Sequence, residues 1–294
     1  MKALPAIGLL QLAGSVVLLA SAWPITKSAV TAGAAPIWFA LGRACFSTLA
    51  AFVLLGLLRR LRLPGRQDVP ALLAVGGLQL AVFFGFAHAA VEFVPAGRTT
   101  VLANVTTIFI VPLSVLVLRE AISPRRWLAT GIALVGVVVL MGPWAIDWSA
   151  PGVLRGHFYL LGAAAAFGCA IVLVRRFPPR LRMLELLPWC FTLASLLLLP
   201  LALHQPGGMG SWPAPSRWAM LYIGGFAGPI GTWCAMEAAA GLPAMVSSVG
   251  FLATPAFGLL FASWWLGEGL GPDLLIGSAL ILAGVGLAAW PARR

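Results

Sequence analysis

Apolar residues fill this chain in runs of about twenty, separated by short stretches that hold most of its Arg and Asp. Each run is close to the length a helix needs to cross roughly 30 Å of hydrocarbon. Alternation of polar and apolar positions with a period of two, the mark of a membrane β-barrel, is missing. The pattern predicts ten helical spans, at residues 4–24, 35–58, 69–90, 95–118, 124–142, 154–174, 184–203, 217–238, 243–266 and 272–290. Almost nothing remains for a soluble domain.

Composition agrees: of 294 residues, 61% are hydrophobic and 9% charged, too little polar material to coat a soluble globule. The first run follows Lys2 and ends in Ala20-Ser21-Ala22, a small-x-small form that also closes secretory signals. Its span length, beyond the 7–15 residues of a signal core, makes it the first membrane helix.

Charge sets the expected orientation, because Lys and Arg are retained on the cytoplasmic side. With the N-terminus inside, fourteen of the nineteen basic residues fall inside: Lys2, Arg59, Arg60, Arg62, Arg66, Arg119, Arg125, Arg126, Arg175, Arg176, Arg180, Arg182, Arg293 and Arg294. Lys27, Arg98, Arg155 and Arg217 stay outside, and Arg43 lies within the second span. Both termini are thus expected in the cytoplasm, in a bacterial inner membrane. The net charge of +11 reflects this orientation and anionic lipid; no basic soluble face for nucleic acid accompanies it. Cys45, Cys169, Cys190 and Cys234 fall inside spans without CxxC spacing and read as packing residues, so neither a metal nor a cofactor is expected.

The chain says one thing twice. "LREAISP" from Leu118 returns 148 positions later as "LGEGLGP" from Leu266. The same offset pairs Pro95-Ala96 with Pro243-Ala244, Glu120 with Glu268, Pro124 with Pro272, Gly136 with Gly284 and Pro143 with Pro291. Two units follow, residues 1–143 and 154–291. Five spans per unit, an odd number, would make the second enter the membrane from the opposite side. The expected fold is therefore an all-α integral membrane protein of ten transmembrane helices in two inverted five-helix repeats. That architecture is associated with carriers whose two units rock around a midplane site. Glu120 and Glu268 sit just before Pro124 and Pro272, where proline suits a first helical turn, so a helix-start role is expected of both carboxylates.

The stretches "LREAISPRRWLATGIALVGVVVL" and "LGEGLGPDLLIGSALILAGVGLAAW" resemble the EamA repeat of the drug/metabolite transporter superfamily. Trp23 with Lys27, and Arg43, also sit where that family has a "W…K" and an Arg-Phe-type start, although Ala44 follows Arg43 here. The resemblance implies a ten-helix exporter of metabolites and says little of which ones.

Candidate site residues are the polar and aromatic groups that a span would otherwise exclude, since an ionisable side chain in hydrocarbon costs on the order of 3 kcal/mol. In "VFFGFAHAA" Phe84 and His88 are four apart and share a helix face, as do Trp233 and Glu237 in the matching part of the eighth span. Gly228-Pro229 interrupts that same span, and open carbonyls there are tolerated where backbone lines a cavity. Asn104, among Thr99, Thr100, Thr106 and Thr107, offers a donor near the positive start of the fourth span; Ser247, Ser248 and Thr254 are the counterparts in the ninth. With Trp23, the substrate-binding set is His88, Phe84, Trp233, Asn104, Trp23, Glu237 and Ser248.

Aromatic walls with one imidazole suit an amphiphilic amino acid, and the third span most resembles the aromatic amino-acid exporters of the YddG type. The expected partners are such a solute and membrane lipid, in a monomer or weak homodimer, with movement facilitated and not proton-coupled. The alternative within the fold is a broad drug or nucleotide-derivative exporter. A membrane enzyme on lipid-linked substrates is disfavoured because Asp68, Asp147 and Asp273 are isolated and no GxSxG occurs; a channel would require a more polar pore lining.

Overall fold

The computed structural model describes residues 6–119, 121, 123–141, 144, 146–147, 149–242, 246, 250–251 and 253–289, the side chains of 107, 239, 240, 288 and 289 excepted. Runs that continue through short 3-10, π or bend stretches form single rods: α1 (Ala6–Thr31), α2 (Pro36–Leu57), α3 (Arg66–Val91), α4 (Ala96–Leu118), α5 (Pro124–Leu140), α6 (Val153–Arg176) and α7 (Met183–Leu203). Then come α8 (residues 214–241), α9 (Ala253–Leu266) and α10 (Pro272–Ala289). Among the described residues no strand occurs beyond an isolated bridge between Ala34 and Gly210. Six rods, α1 to α4, α6 and α7, are long and apolar enough to cross a membrane, and α9 and α10 are shorter apolar helices. The chain is a multi-pass membrane protein.

Boundaries follow local chemistry. Proline opens α2, α5 and α10 at Pro36, Pro124 and Pro272, in the first turn where an N–H has no helical acceptor anyway. Left-handed backbone closes others: Arg59 (φ 52°) after α2, Arg119 (φ 54°) after α4 and Gly267 (φ 68°) after α9. The offset of 148 maps Arg59 onto Gly207 (φ 81°) and Arg119 onto Gly267, so both non-glycine left-handed turns of the first unit have glycine turns as mates in the second.

The interruption expected at Gly228-Pro229 takes a specific form. Residues Leu221–Ala227 form a π segment, and the chain resumes α-helical geometry at Gly228 with Pro229 in its first turn, so the missing proline donor falls where the register has shifted. In α3 the π segment Leu73–Val82 starts 148 residues earlier without a proline, which makes it a feature of the repeat. A third, Ser114–Leu118, follows Pro112 in α4.

Small residues bring the halves together. A methyl group on Gly136 would stand 2.7 Å from the Gly277 carbonyl oxygen and 2.9 Å from the Ile281 nitrogen; one on Gly284 would stand 2.6 Å from the Ala129 oxygen and 2.8 Å from the Ala133 nitrogen. These contacts are reciprocal under the offset, since 277 and 281 are 129 and 133 plus 148. They also run antiparallel: climbing α5 from Ala129 to Gly136 means descending α10 from Gly284 to Gly277. Close backbone approach of this kind is how helices associate in lipid, where apolar side chains gain little by leaving the tails. A similar exchange joins α3 to α7 at Gly76, where a methyl group would stand 2.9 Å from the Cys190 oxygen, and α8 to α2 at Gly224, where one would stand 2.9 Å from the Arg43 oxygen.

Polar ties between halves cluster at the helix ends. At the Arg-rich end, the buried carboxylate of Asp68 accepts from the N–H groups of Gly65, Arg180 and Leu181. At the other, Glu268 accepts from the N–H groups of Ala96 (2.6 Å) and Gly97 (2.8 Å), and Arg98 pairs with Asp273 and donates to the Leu140 carbonyl (2.6 Å). The expected helix-start role of Glu268 is therefore corrected in its address. It caps α4 from across the bundle and not α10 beside it, because the free N–H groups at Ala96 and Gly97 offer two charge-assisted bonds at once. Glu120 lies outside the described residues.

Candidate functional site

Three helices converge on one buried aromatic cluster. Trp23 from α1 lies edge-on to Phe83, with ring centres 6.0 Å apart, and 5.5 Å from the His88 ring. Phe39 from α2 is 6.1 Å from His88, and Phe84 of α3 is 5.6 Å from it. The shared face of Phe84 and His88 is also held by a hydrogen bond, since His88 Nδ1 lies 2.8 Å from the Phe84 carbonyl oxygen. A carbonyl only accepts, so Nδ1 carries the proton and the neutral ring presents its Nε2 lone pair to the cluster. That Nε2 is buried without a partner.

Arg43 of α2 completes the group. Its guanidinium carbon sits 4.3 Å above the centre of the Phe84 ring, and the residue is only 8% exposed. Nε and Nη1 have no hydrogen-bond partner. Sequence reasoning noted this residue as the cation inside a span and left it out of the site; its position seven residues into α2 was the available signal.

The other singled-out residues divide. Trp233 of α8 is partly buried and packs against the core that includes Trp23, Phe83 and Phe84. Glu237 is half-buried one turn further on. Asn104 is exposed, at a turn that breaks α4 near its middle, and its amide donates to the Thr100 carbonyl of its own helix (2.7 Å). The positive start of α4, proposed to attract a solute carboxylate, is occupied by Glu268. Thr99 and Thr100 bond back to the carbonyls four residues earlier. Ser247 and Ser248 lie outside the described residues. Lys27, part of the "W…K" pair, donates to the Val91 carbonyl (2.5 Å) and ties α1 to the end of α3.

A separate groove of about 1170 Å³ opens along a different face of α3, between Gly85, Phe86 and Ala89, the α7 residues Leu197 and Leu201, and Tyr159 of α6. None of Trp23, Phe84, His88, Asn104, Trp233 and Glu237 lines it. Phe86 stacks on Tyr159 there at 5.6 Å, and Arg155 donates from Nε to the Tyr159 hydroxyl.

Apolar rods in two related halves, with a fully buried polar cluster between helices, define a membrane transporter's build. The family profile of EamA-like transporters matches residues 6–142 and again 154–290, and the chain belongs to that family. It is similar to a probable terminal-alkyne amino-acid exporter of Streptantibioticus cattleyicolor, 25% identical over 92% of this chain and 89% of that one. It also resembles an S-adenosylmethionine uptake transporter of Rickettsia prowazekii, 28% identical over 51% of this chain and 48% of that one. A solved crystal structure shares its fold at a TM-score of 0.65 and 22% identity, covering 96% of this chain and 94% of the other.

Proposed function

We propose that the chain is an inner-membrane exporter of amino acids, aromatic and other large neutral ones, working by alternating access and without obligatory proton exchange. In this reading ten spans form two inverted five-helix units, residues 1–143 and 154–291, with both termini cytoplasmic. The observation that carries it is the reciprocal, antiparallel contact of Gly136 and Gly284 across α5 and α10. Equivalent helices running in opposite directions are what an inverted pair requires, and such pairs present one site alternately to two sides.

The substrate class rests on the cluster of Trp23, Phe84 and His88, with Trp233 packed against the same core: flat apolar walls and few polar groups. The relative named for amino-acid export, similar over nine-tenths of both chains, points the same way. A second reading, a carrier of nucleotide derivatives, is favoured by the relative named for S-adenosylmethionine uptake, whose solute itself carries an amino-acid head. Because one relative is named for export and the other for uptake, direction here rests on the first, which spans far more of the chain.

Purified protein in liposomes preloaded with L-phenylalanine, L-leucine, S-adenosylmethionine or a nucleoside, tested by counterflow of the labelled solute, separates these readings. Preferential exchange of the two large neutral amino acids supports the proposal. Exchange of S-adenosylmethionine or the nucleoside alone would replace it with the second reading.

A further inference from the structure

Arg43 presents a physical puzzle. A guanidinium inside a span is costly unless partnered, yet among the described residues no carboxylate pairs with it, and its Nε and Nη1 are buried without acceptors. The Phe84 ring satisfies only one face of the cation, at 4.3 Å. Stacking engages the π-face and leaves the in-plane N–H donors free, and those donors form the planar fork that matches a carboxylate. Around the same ring, 5.6 Å from its centre, His88 offers an unpartnered Nε2 acceptor. An open donor fork and an open acceptor thus flank one aromatic ring, with Trp23 and Phe39 beside them.

We propose that Arg43 and His88 form the head-group site for a zwitterionic solute, Arg43 receiving its carboxylate and His88 Nε2 accepting from its ammonium group. This deepens the exporter reading and rests on it. The site disfavours solutes lacking an anion, because nothing else within the cluster would answer the guanidinium's charge. A shorter cation does not substitute: Lys at 43 would supply one point charge without the fork.

The experiment uses the full-length protein in liposomes, with labelled L-phenylalanine in counterflow and unlabelled competitors. L-phenylalaninamide lacks the carboxylate and 3-phenylpropionate lacks the ammonium. Wild-type protein is expected to be inhibited by L-phenylalanine at concentrations roughly tenfold or more below those of either analogue, the factor a charge-assisted hydrogen-bonded pair supplies. Arg43→Gln is expected to erase the preference for the acid over the amide, and His88→Phe the preference for the amino acid over phenylpropionate. Equal inhibition by acid and amide in the wild-type protein overturns the proposal while leaving the exporter reading intact, and this comparison needs no variant to fold. Retained acid preference in Arg43→Gln overturns it as well. Absence of exchange for every amino acid would remove the exporter reading and the proposal with it.

Discussion

Arg119 and Gly267, 148 residues apart, turn the chain through the same left-handed region, with φ of 54° and 68°. An L side chain in that region meets its own carbonyl, at a cost of about 1–2 kcal/mol, which glycine escapes. Arg119→Gly is therefore expected to raise stability by up to about 1 kcal/mol, once glycine's greater freedom in the unfolded chain is subtracted. Gly267→Ala should lower it by a similar amount. Thermal denaturation of both variants in the same detergent checks the opposite signs.

The α5–α10 contact makes a quantitative demand. Methyl groups at Gly136 and Gly284 would press on backbone atoms at 2.7 and 2.6 Å, and backbone cannot swing aside as a side-chain tip can. Gly136→Ala and Gly284→Ala should each destabilise by about 1–3 kcal/mol, and by similar amounts because the contacts are mates. Gly131, in the same helix, has open space where a methyl would go, so Gly131→Ala serves as the neutral or stabilising control. Unequal losses for the two mates would argue against the twofold relation.

Apolar helices of membrane-spanning length, six of them among the described residues, their tandem repetition and the family resemblance were legible in the sequence, because span length and the 148-residue echo are local or additive signals. Partnership across the bundle was not. Hydrophobic pattern marks a helix face as apolar but does not name the neighbour that covers it, so Glu268 was assigned to the helix beside it although it caps α4. The pattern marks Asn104 as a polar group in a span but does not show that its amide bonds back to Thr100 at a helix break. Arg43 was visible as a cation in a span, but its ring partner Phe84 belongs to another helix. Of the buried aromatic cluster, the Phe84–His88 pair was readable from its spacing of four and Trp23 from the family frame; their convergence was not.

Topology gives a third test. Single cysteines at Ser123, beside Glu120, and at Gly269, beside Glu268, in a background lacking the four native cysteines, should react with an impermeant thiol reagent from opposite sides of the membrane. Labelling from the same side would remove the inverted arrangement and with it the principal support for alternating access. The glutamates themselves stay in place, since Glu268 holds the start of α4.

The Glu268 cap supplies a fourth. Two short bonds from Ala96 and Gly97 to one carboxylate are each worth about 1.5–3 kcal/mol, and the Ala variant also leaves two helix-start donors without that partner. Glu268→Ala should lower the melting temperature clearly, and Glu268→Gln, which keeps one acceptor oxygen but not the charge, should fall between. Equal melting of Glu268→Gln and the wild-type protein would show that the charge contributes nothing to the cap.

The last prediction concerns energy coupling, and a census of the eight acidic residues carries it. A proton-driven carrier needs a group free to gain and lose a proton as access changes. Asp68 is held by three backbone N–H groups, Glu268 by two, and Asp273 by Arg98. Asp147 is exposed in a loop, where the Ser149 hydroxyl and N–H hold its carboxyl below the usual carboxylate range. Glu185 caps the start of α7 through the Arg182 N–H, and Glu92 is exposed at the end of α3. Glu120 lies outside the described residues. Glu237, half-buried in α8, is then the acidic side chain within the described spans that lacks such fastening, and His88 is the imidazole of the buried cluster. His88 has its Nδ1 proton committed to the Phe84 carbonyl, and a proton on its Nε2 would put a second buried cation around the Phe84 ring that already carries Arg43. An imposed pH gradient across liposomes, with equal amino acid on both sides, is therefore expected to drive no net accumulation. Accumulation that disappears in Glu237→Gln would identify that carboxylate as the coupling group; accumulation that disappears in His88→Ala would overturn the assignment of Nε2 to the ammonium as well.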